Sequence, residues 1–305
     1  MPAILPSLNN ITLDSWDHVS FRKHNLETNV LRLDKIHPEI SGNKWFKLKY
    51  YLDRAVLTQK DKLISFGGAY SNHLLALAAA ARLYGFASVG LIRGEEPVIL
   101  SPVLVTLKQF GMELRFLPRA EYDRQKKSQF LSETNEYEQR SLLIPEGGAG
   151  RDGVRGAEEI LKDFPIEKYT YICCAVGTGT TLAGIINSAL PHQKKIGVSI
   201  LKGTKRLEPL CPEWVTLPRN LDNVQVIHDD HFGGYAKYTR DLLTFMNQTY
   251  AASGIPTDFV YTGKLFYSIA RLADMNAFAA GSRILVLHTG GLPGNRSLPP
   301  GLLQF

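Results

Sequence analysis

KLISFGGAYSNHLLALAAAARLY, residues 62–84, is the stretch on which the fold turns. Its first five residues form a short apolar run of the kind buried in strands. Its last thirteen, Asn72–Tyr84, are rich in Ala and Leu and are followed by Gly85, which is the pattern of a helix and its stop. A strand that passes through glycines into a helix is the building unit of α/β folds, and ligands bind beyond the carboxyl ends of such strands. Working outward, strands are expected at 87–92, 113–116, 142–144, 169–176, 195–200 and 283–287. A helix is expected at 102–110 and a polar surface helix within 119–140. This alternation predicts an α/β protein with mainly parallel sheets and helices on both faces.

The strand–glycine–helix arrangement recurs. In 175–184 (AVGTGTTLAG), the backbone N–H groups and hydroxyls of Gly177, Thr178, Gly179, Thr180 and Thr181 suit a phosphate. No Gly-Lys-Ser/Thr ending follows, and Gly184 comes too late for a dinucleotide fingerprint. After the RILVL run, HTGGLPG (288–294) puts Thr289 at a strand end as a short neutral hydrogen-bond partner. In SGNK (41–44), Gly42 permits an unusual backbone angle and Asn43 reads as a helix cap. Lys44 then emerges at a helix start, where the dipole favours the neutral amine that Schiff-base chemistry needs. Taken alone, the same four residues describe a capped surface helix with Lys44 in water.

The 305 residues, 44% hydrophobic and 21% charged, suffice for two domains. The net charge of +6 is scattered, and its densest run, Arg124, Lys126 and Lys127, sits in a solvated helix. No zinc-finger spacing or aromatic RNA-binding signature accompanies it, so no nucleic-acid partner is expected. Cys173, Cys174 and Cys211 are too few and too irregular for a disulfide framework, and the first two read as buried strand residues. No signal peptide and no apolar run long enough to span a membrane is seen, and a reducing cytoplasm is the expected compartment. His228, Asp229, Asp230 and His231 read as a polar turn, and no metal site is expected. A hydrolase elbow of the Gly-x-Ser-x-Gly type is absent.

Ser-Gly-Asn-Lys, Gly-Gly-x-x-Ser-Asn-His, Gly-Thr-Gly-Thr-Thr and His-Thr-Gly-Gly occur here in that order, from Lys44 to Gly291. Together they resemble the 1-aminocyclopropane-1-carboxylate deaminase and D-cysteine desulfhydrase family of tryptophan-synthase-β-like, fold type II enzymes that use pyridoxal 5'-phosphate (PLP). The resemblance implies two three-layer α/β/α domains. Residues 1–48 with 162–305 would form the large PLP-binding domain and 49–161 a smaller inserted one, in a homodimer. It implies that Lys44 carries PLP as a Schiff base, whereas Lys47 matches a following family lysine that does not. Asn72 would bond the cofactor's 3-oxygen and Ser71 would sit by the substrate carboxylate. Gly177, Thr178, Gly179, Thr180 and Thr181 would hold the phosphate, and Thr289 would face the pyridine nitrogen. Tyr235, in a segment like the family's Gly-Tyr-Gly, and Tyr261, in one like its Val-Tyr-x-Gly-Lys, would meet a small amino-acid substrate.

The deaminases carry Glu after that last tyrosine, where this chain has Thr262. A carboxylate there would keep the ring nitrogen protonated and strengthen the electron sink, and threonine cannot supply that charge. The expected reaction is therefore β-elimination of D-cysteine, or of a related β-substituted amino acid, to pyruvate, ammonia and sulfide. The alternatives are 1-aminocyclopropane-1-carboxylate deamination and cofactor binding without turnover.

Overall fold

The computed structural model describes residues 5–129, 140–203, 214–216 and 221–305; Cys211 and residues 130–139 of the expected polar helix lie outside them. Along the chain run β1 (Leu13–Ser15), α1 (Val19–Lys23), β2 (Glu27–Arg32), α2 (Asn43–Leu57), β3 (Lys62–Gly67) and α3 (Asn72–Tyr84). Then come β4 (Ala87–Arg93), α4 (Pro102–Gln109), β5 (Met112–Leu117), α5 (Arg119–Gln129), β6 (Ser141–Ile144) and α6 (Arg151–Glu158). The last part contains β7 (Tyr171–Val176), α7 (Thr180–Ser188), β8 (Lys194–Ser199), β9 (Val224–Ile227), α8 (Arg240–Ser253), α9 (Thr262–Asp274) and β10 (Arg283–His288).

Two sheets result. The larger has the order β1-β2-β10-β7-β8-β9 and the smaller β5-β4-β3-β6. Every neighbouring pair is parallel except β1 with β2. Parallel strands are covered by helices on both faces, and so read as continuous apolar runs. β7 shows this residue by residue. Ile172, Cys174 and Val176 enter the core shared with α6 and α7, while Tyr171, Cys173 and Ala175 enter the core shared with α9. The adjacent cysteines are thus free thiols on opposite faces, and burial pushes the Cys174 thiol up to about 12. In the smaller sheet, Leu63 and Ile144 meet α3 and α4, while Ile64, Phe66 and Val89 meet Tyr122 of α5.

The 62–84 unit forms as its residues dictate. β3 is buried from Leu63 onward, and α3 is buried continuously from His73 to Ala81. Ser71 Oγ accepts the Leu74 N–H at 3.2 Å to start the helix, and Gly85 ends it at φ 77°. Among the described residues no helix is long and apolar enough to cross a membrane.

α2 leads from the larger sheet to the smaller, and α6 leads back beside it. The two helices pack through Gly156, where a Cβ would stand 1.8 Å from the Phe46 carbonyl oxygen, so backbone lies on backbone. Gly156→Ala should therefore lower unfolding free energy by about 2 kcal/mol, the helix-propensity gain of alanine notwithstanding. Urea titration checks this, and an unchanged midpoint would contradict the packing.

Candidate active site

The carboxyl ends of the strands of both sheets open on a shared cavity of about 640 Å³. Lys44, Ser71, Asn72, Gly177, Thr178, Gly179, Thr181, Tyr235, Tyr261 and Thr289 all line it. Residues as far apart in sequence as Lys44 and Thr289 are thus brought to one place. Thr180 stands behind the wall, fully buried, with its hydroxyl 2.9 Å from that of Thr178.

Lys44 owes its position to the start of α2. Gly42 adopts φ 67° and serves as the N-cap, so Asn43 is not the cap but the first helical residue. Its amide does different work: Nδ2 donates to Thr181 Oγ1 at 2.8 Å, and Oδ1 accepts from Lys44 Nζ at 2.9 Å. One asparagine thereby joins the lysine to the threonine-rich turn. Lys44 Nζ also lies 5.8 Å from the centroid of the Tyr261 ring. Burial lowers its pKa from 10.5 to about 8, with the Asp258 charge opposing the shift. One helical turn on, Lys47 is buried in the same wall, and burial followed by the nearby Lys44 charge holds it well below the ordinary lysine range.

The threonine-rich turn opens α7. Its N-cap, Gly179, sits at φ 79°, and no side chain caps the helix, which leaves first-turn N–H groups without a side-chain acceptor. Such a terminus favours an anion. The Tyr261 ring lies against Gly177, and Thr178 lies against Gly147 of the loop that follows β6. The turn is therefore enclosed from both sheets.

On the side of the smaller sheet, Asn72 Nδ2 donates to the Gly291 carbonyl at 3.2 Å, while its Oδ1 is buried without a partner. His73 Nε2 meets Ser65 Oγ at 2.9 Å. Ser65 gives its own hydrogen to the Ile144 carbonyl at 2.7 Å, so His73 donates from Nε2 and keeps a lone pair on Nδ1. That Nδ1 is buried and unpartnered. Burial, then the charges of Lys44 and Lys47, hold His73 well below the ordinary histidine range. Tyr235 and Tyr261 meet edge to face with ring centroids 6.2 Å apart. Desolvation raises the Tyr261 hydroxyl far above 10 and raises that of Tyr235, whose side chain is otherwise half exposed.

Asp258 is the residue that sequence reading passed over. It is fully buried behind Gly291, where a Cβ on that glycine would stand 2.7 Å from its carboxyl carbon. Its Oδ2 accepts the N–H groups of Val260 at 3.0 Å and Tyr261 at 2.9 Å. Its Oδ1 accepts the Thr262 N–H at 2.8 Å and the Thr262 hydroxyl at 2.7 Å. An Asp a few residues before a helix is a capping signal, and that pattern could have revealed it. Thr262 is fully buried and spends its hydroxyl hydrogen on Asp258, whereas Thr289 lines the cavity. In the polar turn that ends at His231, Asp230 pairs with Arg271 at 2.9 Å, and His231 Nδ1 accepts the Gly233 N–H at 3.0 Å.

A sequence profile of the family described as pyridoxal-phosphate dependent enzyme matches residues 19–290. A Pyrococcus abyssi protein provisionally named 1-aminocyclopropane-1-carboxylate deaminase is 29% identical over 317 residues, covering 96% of this chain and 94% of its own. A mitochondrial Arabidopsis thaliana protein named bifunctional D-cysteine desulfhydrase/1-aminocyclopropane-1-carboxylate deaminase is 27% identical over 297 residues, covering 87% of this chain and 72% of its own. A crystal structure of an ACC deaminase homologue matches with a TM-score of 0.78 at 26% identity, covering 94% of this chain and 90% of that one.

Asp258→Ala should strand three N–H groups and a hydroxyl in a dry interior and cost about 3 kcal/mol of stability. Chemical denaturation checks this, and a loss below about 1 kcal/mol would mean that water replaces the carboxylate there.

Proposed function

We propose, since this chain belongs to the pyridoxal-phosphate dependent enzyme family, that it is a lyase that eliminates the β-substituent of a small amino acid. D-cysteine is the first candidate, and with water it would yield pyruvate, ammonia and sulfide. The residues present fit the cofactor. The uncapped start of α7 suits its phosphate. The partnerless Oδ1 of Asn72 marks a polar position awaiting a ligand group. The half-buried Lys44 supplies an amine near neutrality to hold the aldehyde.

The observation that carries the reading is that, among the described lining residues, no carboxylate belongs to the strand end that carries Thr289. The neighbouring Asp258 carboxylate is fully occupied by four donors and screened by Gly291. Glu146, the carboxylate among the lining residues, belongs to the loop after β6 and is tied to Lys126 and Tyr122. A neutral partner at the ring nitrogen suffices when a good leaving group departs, and serves cyclopropane opening poorly. A relative named D-cysteine desulfhydrase supports the same choice, while relatives named 1-aminocyclopropane-1-carboxylate deaminase keep ring opening as the second reading.

Bound PLP supplies an electron sink for the charge that develops at the substrate's Cα. The chain does the rest. Lys44 Nζ, held by Asn43 Oδ1, is the base that would take the α-proton, and its lowered pKa keeps a working fraction neutral. Ser71 caps α3 with its oxygen and retains its hydroxyl hydrogen for the substrate carboxylate. Tyr235 and Tyr261, whose hydroxyls are raised and so stay protonated at neutral pH, would donate hydrogen bonds to the departing sulfur, which leaves as hydrosulfide.

Pyruvate and sulfide release from the two cysteine enantiomers tests the assignment. The D enantiomer should be the faster, and Lys44→Ala should abolish both the visible cofactor band and turnover. Faster ammonia release from 1-aminocyclopropane-1-carboxylate would overturn the substrate choice, and a cofactor band without product from any of the three would overturn catalysis. Lys44 also makes a pH prediction. Its folded pKa is depressed, so the neutral amine gains as pH rises. Reloading of the cofactor onto the stripped protein should accelerate as pH passes through about 8 and then level off. Stopped-flow absorbance checks this; an ordinary lysine at 10.5 would still be accelerating there.

A further inference from the structure

The segment that brings Tyr235 to the cavity lies between β9 and α8, and its backbone is contorted. Phe232, Gly233, Gly234 and Ala236 have φ of 51°, 93°, 112° and 53°. Two of the four are not glycine. Such left-handed geometry is unfavourable for them and persists only where the surroundings over-determine it.

One stripe of α9 does so. Lys264, Tyr267, Ser268 and Arg271 recur at helical spacing and share a face. Arg271 Nη2 donates to Asp230 Oδ2 at 2.9 Å, and Ser268 Oγ donates to the same oxygen. The Phe232 ring meets Tyr267 edge to face at 4.9 Å. Lys264 Nζ donates to the His231 carbonyl at 2.8 Å and the Gly234 carbonyl at 2.7 Å. Those same two oxygens accept the turn's own N–H groups, from Gly234 at 3.0 Å and Lys237 at 3.2 Å. Lys264 thus occupies the hub of the turn immediately before Tyr235.

The amine is fully buried, and both its acceptors are carbonyls; the Asp258 carboxylate acts on it only through space. Burial lowers its pKa to about 8, which still leaves an ammonium at neutral pH. A buried charge of this kind is tolerated only where its hydrogen bonds are made, so turn and lysine hold each other in place.

We propose that Lys264 is a positioning residue for Tyr235: its buried amine locks the turn from His231 to Gly234 and so sets Tyr235 against Tyr261 at the cavity. One helix start then fixes both tyrosines, Tyr261 through Asp258 and Tyr235 through Lys264. The kinetic consequence rests on the β-elimination reading; the structural one does not.

The test compares the holoenzyme with Lys264→Met and with Lys264→Gln, the second retaining a donor in case the first fails to fold. Amide hydrogen exchange should rise about tenfold at Gly233, Gly234 and Lys237 in Lys264→Met, less in Lys264→Gln, while α9 and the cofactor band keep their wild-type behaviour. With D-cysteine, kcat should fall about tenfold in Lys264→Met. In a Tyr235→Phe background the same change should cost less than about twofold, because its effect passes through that hydroxyl. Unchanged exchange in the turn overturns the proposal, as do losses that multiply in the double variant. If the wild-type enzyme releases nothing from cysteine, the substrate reading fails, and the exchange measurement still decides the role of Lys264.

Discussion

The backbone crossing between Gly42 and Thr289 is the contact on which the site depends. The Asn43 N–H donates to the Thr289 carbonyl at 3.2 Å, and a Cβ on Gly42 would stand 2.0 Å from that oxygen. Only glycine lets the start of α2 lie so close to the end of β10. Once these two segments touch, Lys44 projects past Thr289 into the cavity. Asn43 then reaches across to Thr181, and the first turn of α7 is drawn into register with the lysine. Strand ends and helix starts from distant parts of the chain meet there because one residue lacks a side chain.

Dryness sets the chemistry of what meets. Lys44, Lys47 and His73 share one wall, and each is pushed toward its neutral form by burial before any neighbour acts. The Lys44 charge then adds to the shift of Lys47, and both lysine charges add to that of His73, while Asp258 opposes the shift of Lys44. A pocket that accepts an anionic cofactor through backbone N–H groups and hydroxyls can leave its amines available as bases.

A fully buried carboxylate, that of Asp258, lies behind Gly291. Thr262, where the resemblance to the deaminases implies Glu, follows it by four residues and hydrogen-bonds to it. The Asp258 charge is held at the α9 start by N–H donors and the helix dipole, and it still acts through space on Lys44. The same carboxylate therefore fixes Tyr261 in space from behind the wall, without lining the cavity itself.

Local pattern was legible wherever a segment is uniform in its burial. β3, α3, β4 and β10 could be read within a residue or so, since an apolar run or an Ala-rich helix has a period that needs no partner to be recognised. β2 was missed: Glu27–Arg32 pairs with β10 in the larger sheet, yet it carries Glu, Thr, Asn and Arg, whose polarity is compensated by contacts such as Tyr169 with Asn29. α9 was read as a motif and not as a helix, because its polar stripe faces the Tyr235 loop instead of water. Four glycine-bearing motifs in order picked out residues that the fold brings to one cavity. Tertiary structure alone decided that Asn43 bridges rather than caps, that Thr262 turns away while Thr289 faces the cavity, and that Asp258 and Lys264 hold the tyrosines. Those are contacts between segments far apart in the chain or around a buried helix start, and periodicity along the chain carries no record of which distant atom completes a hydrogen bond.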